Sequence, residues 1–291
     1  MLRDYQVETA DGRQLDVVES GQVGDPLVLV HHGTPGARTL AAPWIADAEH
    51  RGIRLVGYSR PGYGESTRVQ GRPVSQVAED MRAIADHLGV DRLATWGYSG
   101  GGPHVLATAA LLPDLVVAAA AIASPAPYGA DGLDFLAGMG EANVKEFDAV
   151  LAGEAATRPL HEAAAAEKRD TVDAVIEGMA SLLSAPDLEV TRATLGEWMI
   201  AVFAEGLAQG ADGWIDDDLA FVAPWGFALS DIRVPLQLWQ GRHDLMVPLA
   251  HGEWLARQLP RAEWNYRPEG GHLSLLVEAV PEIHSWLLGH F

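Results

Sequence analysis

The chain of 291 residues contains no cysteine, which excludes disulfides and thiol chemistry and leaves redox arguments silent about compartment. It also lacks a long hydrophobic run. The longest, Leu115 to Ala123, is far too short to span a bilayer and suits a buried strand. The start, Met1-Leu2-Arg3-Asp4-Tyr5, has no apolar signal core, so a cytoplasmic location is the default expectation. Basic residues are scarce: 20 Lys and Arg stand against 40 Asp and Glu, for a formal charge of −20. Phosphate-bearing partners would be repelled, so neither nucleic acid nor an anionic membrane surface is expected. No internal repeat or low-complexity linker is visible. With 48% hydrophobic residues, a chain of this length can bury a large core and suits one α/β domain with an insertion.

What the chain does have is the stretch Gly97-Tyr98-Ser99-Gly100-Gly101 between two element patterns. Leu93 to Trp96 reads as a short buried strand, and Gly102-Pro103-His104-Val105-Leu106-Ala107 opens a helix, with Pro103 where its missing N–H costs nothing. A serine wedged between strand and helix sits in a sharp turn and needs very small residues two positions either side, which Gly97 and Gly101 supply. Serine is also a preferred helix N-cap, but a cap needs no flanking glycines.

A serine hydroxyl is a weak nucleophile at neutral pH and requires a base, itself oriented by a third group. Pro235 to Gln240 reads as a strand running into Gly241-Arg242-His243-Asp244. Glu263 to Tyr266 reads as another, followed by Glu269-Gly270-Gly271-His272 and an apolar helix. Asp244 and His272 are thus both expected just past strand ends, on the edge that carries Ser99. The plainer alternatives are that Asp244 pairs with Arg242 and that His272 caps its helix.

Attack on a carbonyl also needs donors for the developing oxyanion. The apolar run Pro26 to His31 reads as a central parallel strand ending in His32-Gly33-Thr34-Pro35-Gly36. Pro35 has no N–H, so the backbone amides expected to serve are those of Thr34 and Gly100. His31 and His32 have no third ligand at a recognisable spacing, and no metal site is expected there.

The rest of the first half alternates strand and helix: strands Gln14–Glu19, Leu27–His31 and Arg54–Tyr58, then a helix over Ser75–Leu88. This alternation predicts a mostly parallel sheet of about eight strands flanked by helices. From about Pro125 to Pro224 the rhythm breaks into Ala-rich helical sequence, in which Leu195, Trp198, Met199, Val202 and Phe203 recur at helical spacing. The division expected is a core of residues 1–124 and 231–291 with a helical cap over 125–230, inserted after the sixth strand. That interval holds 19 of the 40 acidic residues but only 5 of the 20 basic ones. Solvated helix faces explain this most simply; the alternative is a lid biased toward cationic substrates through Glu197, Glu205, Asp212 and Asp216-Asp217-Asp218. Most aromatic residues there should pack, yet Trp198, Trp214 and Trp225, with Tyr98 beside the nucleophile, are the candidates to line a pocket.

On these residues the chain resembles the α/β-hydrolase fold family over essentially its whole length. The order Ser99, Asp244, His272 is that family's order. His32-Gly33-Thr34-Pro35-Gly36 is similar to its oxyanion loop, and Tyr58-Ser59-Arg60-Pro61-Gly62-Tyr63-Gly64-Glu65-Ser66 to the turn after its fourth strand. The resemblance implies a serine hydrolase of a small-molecule carboxylic ester, lactone or thioester, acting without a cofactor. The oxyanion loop is also similar to that of the proline iminopeptidases, though Tyr98-Ser99-Gly100 departs from their tryptophan-containing elbow. An aminopeptidase and, in another class, a ligand receptor on the hydrolase frame remain open, as do perhydrolase and carbon–carbon hydrolase chemistry. The sequence says nothing of oligomeric state.

Overall fold

The structure, a computed structural model, describes residues 2–291. Eight strands form one sheet: β1 Arg3–Glu8, β2 Gln14–Glu19, β3 Leu27–His31, β4 Arg54–Tyr58, β5 Leu93–Tyr98, β6 Val116–Ile122, β7 Leu236–Gly241 and β8 Glu263–Arg267. Their spatial order is β1-β2-β4-β3-β5-β6-β7-β8. The β1–β2 and β2–β4 pairings at one edge are antiparallel, and the other five are parallel. The central strands read as nearly unbroken apolar runs because helices cover both faces. In β3, Leu27 and Leu29 pack on one side while Val28 and Val30 pack on the other. The two-residue period of a strand sorts every side chain between these two cores.

Helices α1 Ala42–Arg51, α2 Val77–Leu88 and α3 Gly101–Leu111 follow β3, β4 and β5. α10 Leu249–Gln258 links β7 to β8, and α11 Leu275–Glu278 and α12 Val280–Leu288 close the chain. Met81, Ile84, Val105, Leu106 and Leu255 fill one core; Trp44, Leu276, Ile283 and Leu287 fill the other. Each such fully buried side chain contributes about 1.5–3 kcal/mol before entropy is charged against it. Between β6 and β7 the chain makes α4 Glu141–Leu151, α5 Glu154–Ala165, α6 Val172–Gly178, α7 Ala185–Val190, α8 Gly196–Gly206 and α9 Asp212–Val222, with no strand among the described residues.

The strand pattern legible in the sequence starts at Gln14, and β1 lies before it. It is an edge strand in which only Val7 is fully buried, so its alternation is too faint to register. The helix expected over Ser75–Leu88 starts as a 3₁₀ turn, Val74–Gln76, before α2. No helix among the described residues is long and apolar enough to cross a membrane.

Candidate active site

The register of the parallel strands brings four loops to one edge. His31 stands beside Gly97, Ile122 beside Trp239, and Gly241 beside Arg267, so the chain leaves β3, β5, β7 and β8 on the same edge, with β6 between β5 and β7. At the end of β5, Ser99 has φ +54°, left-handed backbone that a non-glycine residue rarely adopts. Its N–H donates to Ile122 O (2.9 Å) and its carbonyl accepts from Gly102 N–H (2.8 Å), which fixes the strained turn from both sides. The flanking glycines are required by space. A Cβ on Gly97 would stand 2.7 Å from that of His31, and one on Gly101 only 2.2 Å from His31 O. The hydroxyl is therefore carried on a turn pressed against the end of β3.

Asp244 and His272 meet there. His272 Nδ1 and Asp244 Oδ2 are 2.8 Å apart, with both side chains at least 97% buried. The amides of Met246 and Val247 donate to Asp244 Oδ1, and Gln240 Nε2 donates to Oδ2, which rules out the plain pairing with Arg242 as the role of this carboxylate. Burial pulls the His272 imidazole down, but the Asp244 charge, its hydrogen bond and the charge of Asp187 together hold it above the usual imidazole value. With Nδ1 committed to Asp244, Nε2 is the ring nitrogen left for Ser99. The imidazole and the Ser99 hydroxyl line one cavity without a hydrogen bond between them, a looseness usual before substrate tightens such contacts.

Asp187, on α7, was not anticipated. Fully buried, it accepts from three consecutive backbone amides: His272 at 3.0 Å, Leu273 at 2.7 Å and Ser274 at 3.0 Å. Ser184 Oγ donates to it at 2.7 Å. Nothing in the sequence links positions 85 residues apart, so no local pattern was there to find.

The loop after β3 places Thr34 against Gly100, and among the described residues neither amide has a hydrogen-bond partner. Thr34 Oγ1 donates to Asp217 at 2.8 Å and accepts from Arg60 at 2.9 Å. His31 and His32 are structural. His31 Nδ1 meets the Tyr58 hydroxyl at 3.0 Å; His32 Nε2 accepts from Arg60 N–H, which leaves its Nδ1 to donate to Gly33 O. Burial holds both imidazoles well below their usual value, and so neutral.

A cavity of about 320 Å³ lies over these loops and under the β6–β7 helices. Thr34, Tyr98, Ser99, Gly100, Trp198, Trp214 and His272 line it. So do Met199, Val202 and Phe203, the helical stripe recognised in the sequence. Trp225 does not. It lies past α9 in the sheet-side core, stacked on Phe227 with its Nε1–H on Phe221 O, because the chain there has already turned back toward β7. The acidic run Asp216-Asp217-Asp218 divides three ways: Asp216 pairs with Arg68, Asp217 with Arg60 and Arg72, and Asp218 with His161. Glu205 pairs with Arg38, Asp212 with Arg68 and Arg158, and Glu197 is exposed. Of all these, only Asp218 reaches the cavity wall, beside Glu146 and His161. Burial pushes Asp218 up to about 7, and burial with the Asp218 charge raises Glu146 well above the usual carboxylate value. Glu146, His161 and Asp218 present ligand atoms within 4.8 Å of one another, the grouping among the described residues able to hold a metal ion.

Comparisons with known proteins agree with this architecture. A dihydrolipoyllysine-residue acetyltransferase component of the acetoin cleaving system from Pseudomonas putida is 28% identical over 275 residues, covering 92% of this chain and 64% of that protein. The chain thus spans under two thirds of that relative's length. A pimeloyl-[acyl-carrier protein] methyl ester esterase from Aromatoleum aromaticum is 28% identical over 272 residues, 86% of this chain and 92% of the esterase. The crystal structure of an enol-lactonase from Burkholderia xenovorans superimposes with a TM-score of 0.72 at 20% identity, over 98% of this chain and 100% of the other. The family profile of the alpha/beta hydrolase fold matches residues 26–279, and the chain belongs to that family.

Proposed function

We propose that the protein is a serine hydrolase cleaving a carboxylic ester, lactone or thioester of a small molecule through an acyl-enzyme. The observation that carries this reading is the buried His272–Asp244 pair opening on the same cavity as Ser99, on its left-handed turn. Ser99 Oγ attacks the substrate carbonyl as His272 Nε2 takes its proton, and Asp244 fixes the ring tautomer and balances the imidazolium charge. The amides of Thr34 and Gly100 hold the oxyanion. His272 then protonates the leaving group, and water that it activates releases the acid. Residues 125–230 act as a cap, and Tyr98, Trp198 and Trp214 shape an apolar pocket beneath it. A methyl ester esterase among the relatives supports ester over amide as the bond cleaved.

The test is labelling by a fluorophosphonate probe, followed by turnover of p-nitrophenyl esters against prolyl and alanyl anilides. Labelling lost in Ser99→Ala, with ester turnover exceeding anilide turnover, is the expected result. Labelling that persists in the variant refutes the assignment, and fast acylation with almost no product release favours a receptor. A second reading, an aminopeptidase, is favoured by one observation: Glu146 and Asp218 sit on the cavity wall with no arginine or lysine paired to them among the described residues, a place suited to a substrate ammonium. Anilide turnover exceeding ester turnover selects it.

A further inference from the structure

We propose that Asp187 is a positioning residue, the point at which the cap holds the main chain of the His272 loop and so makes cap seating a condition for correct placement of the imidazole. The proposal rests on the reading of His272 as the base and adds a residue to it. Asp187 belongs to α7, whereas the amides it receives belong to the loop between β8 and α11. The two carboxylate oxygens divide the work: Oδ1 takes the amides of Leu273 and Ser274, and Oδ2 takes that of His272 with the Ser184 hydroxyl. Three charge-assisted bonds to successive residues fix the loop's backbone more tightly than any single contact does.

The loop itself is built for this close approach. A Cβ on Gly271 would lie 2.4 Å from Asp187 Oδ1 and 2.4 Å from Ser184 Oγ, so nothing larger than glycine fits beside the carboxylate. Gly271 N–H donates instead to Ser274 Oγ at 2.8 Å, closing the loop on itself. Without Asp187 the loop's remaining anchors are the Asp244–His272 contact and backbone bonds such as that from Leu276 N–H to Leu273 O. The imidazole would then be tethered by its ring and free to move at its root. Displacement of about 1 Å at a catalytic group costs up to ~10²-fold in rate.

The experiment compares Asp187→Asn and Gly271→Ala with the unaltered enzyme. Asparagine keeps the shape but turns an amide N–H₂ toward donors that need an acceptor; Gly271→Ala pushes the same contact apart from the other side. Each is expected to lower kcat about 10- to 100-fold with KM within about threefold. The double variant should lose no more than the worse single one, since both break one contact. A second readout is the titration of the His272 ring by proton NMR. Asp244 and Asp187 are the charged groups acting on that ring, so Asp187→Asn should move its midpoint down, while Gly271→Ala need not. Folding is checked by circular dichroism, and Gly271→Ala carries the kinetic test should Asp187→Asn fail to fold. Folded variants with unchanged kcat, or losses that multiply in the double variant, overturn the proposal. The titration follows His272 whether or not Ser99 is a nucleophile, so failure of the fluorophosphonate labelling and failure of the clamp are separate results.

Discussion

Asp217→Asn gives the sharpest test of how the helices between β6 and β7 are fastened to the loops at the sheet edge. Wild-type Asp217 has a fully buried side chain, and both guanidinium groups it holds, those of Arg60 and Arg72, are 2% exposed or less. Its oxygens also accept from the Tyr63 hydroxyl at 2.9 Å and Thr34 Oγ1 at 2.8 Å. A guanidinium cannot shed its charge, so the variant leaves two buried cations without the one carboxylate that both of them contact. Breaking a buried pair costs about 3–5 kcal/mol, and a domain of this size loses about 2–4 °C of melting temperature per kcal/mol, so a fall of about 10 °C is expected. Asp212→Asn is the control, because its side chain is 39% exposed and such pairs contribute about 1 kcal/mol or less. The pH dependence adds a second check. Burial raises the Asp217 carboxyl, but the Arg60, Arg72 and His104 charges and the Arg60 hydrogen bonds outweigh it and hold the group well below its usual 3.8. A depressed folded-state value contributes stability that is complete above 3.8 and lost as pH falls through the folded value. The melting gap between wild type and variant should therefore stay constant from about pH 8 to pH 5 and close only in stronger acid. A scanning-calorimetry difference under about 2 °C, or a gap that shrinks already near pH 6, would refute the reasoning.

Other substitutions test the chemistry. Ser99→Ala should lower kcat on the best ester by about 10⁶-fold, as for triads that act as a unit, measured by stopped-assay turnover with melting as a folding check. The acid limb of kcat/KM against pH should fall through a midpoint above the usual imidazole value of 6.5, because the base must be neutral and His272 is held high by Asp244 and Asp187; a midpoint at or below 6.5 contradicts this. Asp218→Asn and Glu146→Gln should raise KM at least tenfold for an amine-bearing substrate and leave a neutral ester nearly unaffected; equal effects on both would remove the ammonium reading.

Much of the active edge was legible in one dimension because the demands on it are local. A serine that must adopt positive φ between a strand and a helix needs glycine two residues either side, and Gly97 and Gly101 announce that. Strand ends followed by Gly241 to Asp244 and by Gly270-Gly271-His272 placed Asp244 and His272 on the same edge. β3 to β7 were readable because buried parallel strands are short apolar runs between helices, whereas β1, with a single fully buried residue, carries almost no such signal. Charge in the helical interval was legible only as a total.

What tertiary structure decided was the partner of each group, since that depends on segments far apart in sequence. Three adjacent aspartates looked alike, yet Asp216 faces Arg68, Asp217 faces Arg60 and Arg72, and Asp218 faces the cavity, because helix geometry turns successive side chains by about 100° onto different neighbours. The same dependence hid Asp187, whose surroundings are set by a loop 85 residues later, and sent Trp225 into the core while Trp198 and Trp214 reached the cavity. Backbone conformation is dictated by neighbours in the chain; the charge or donor a side chain meets is dictated by which elements pack together, and that is settled only when the whole sheet and the helices over it are assembled.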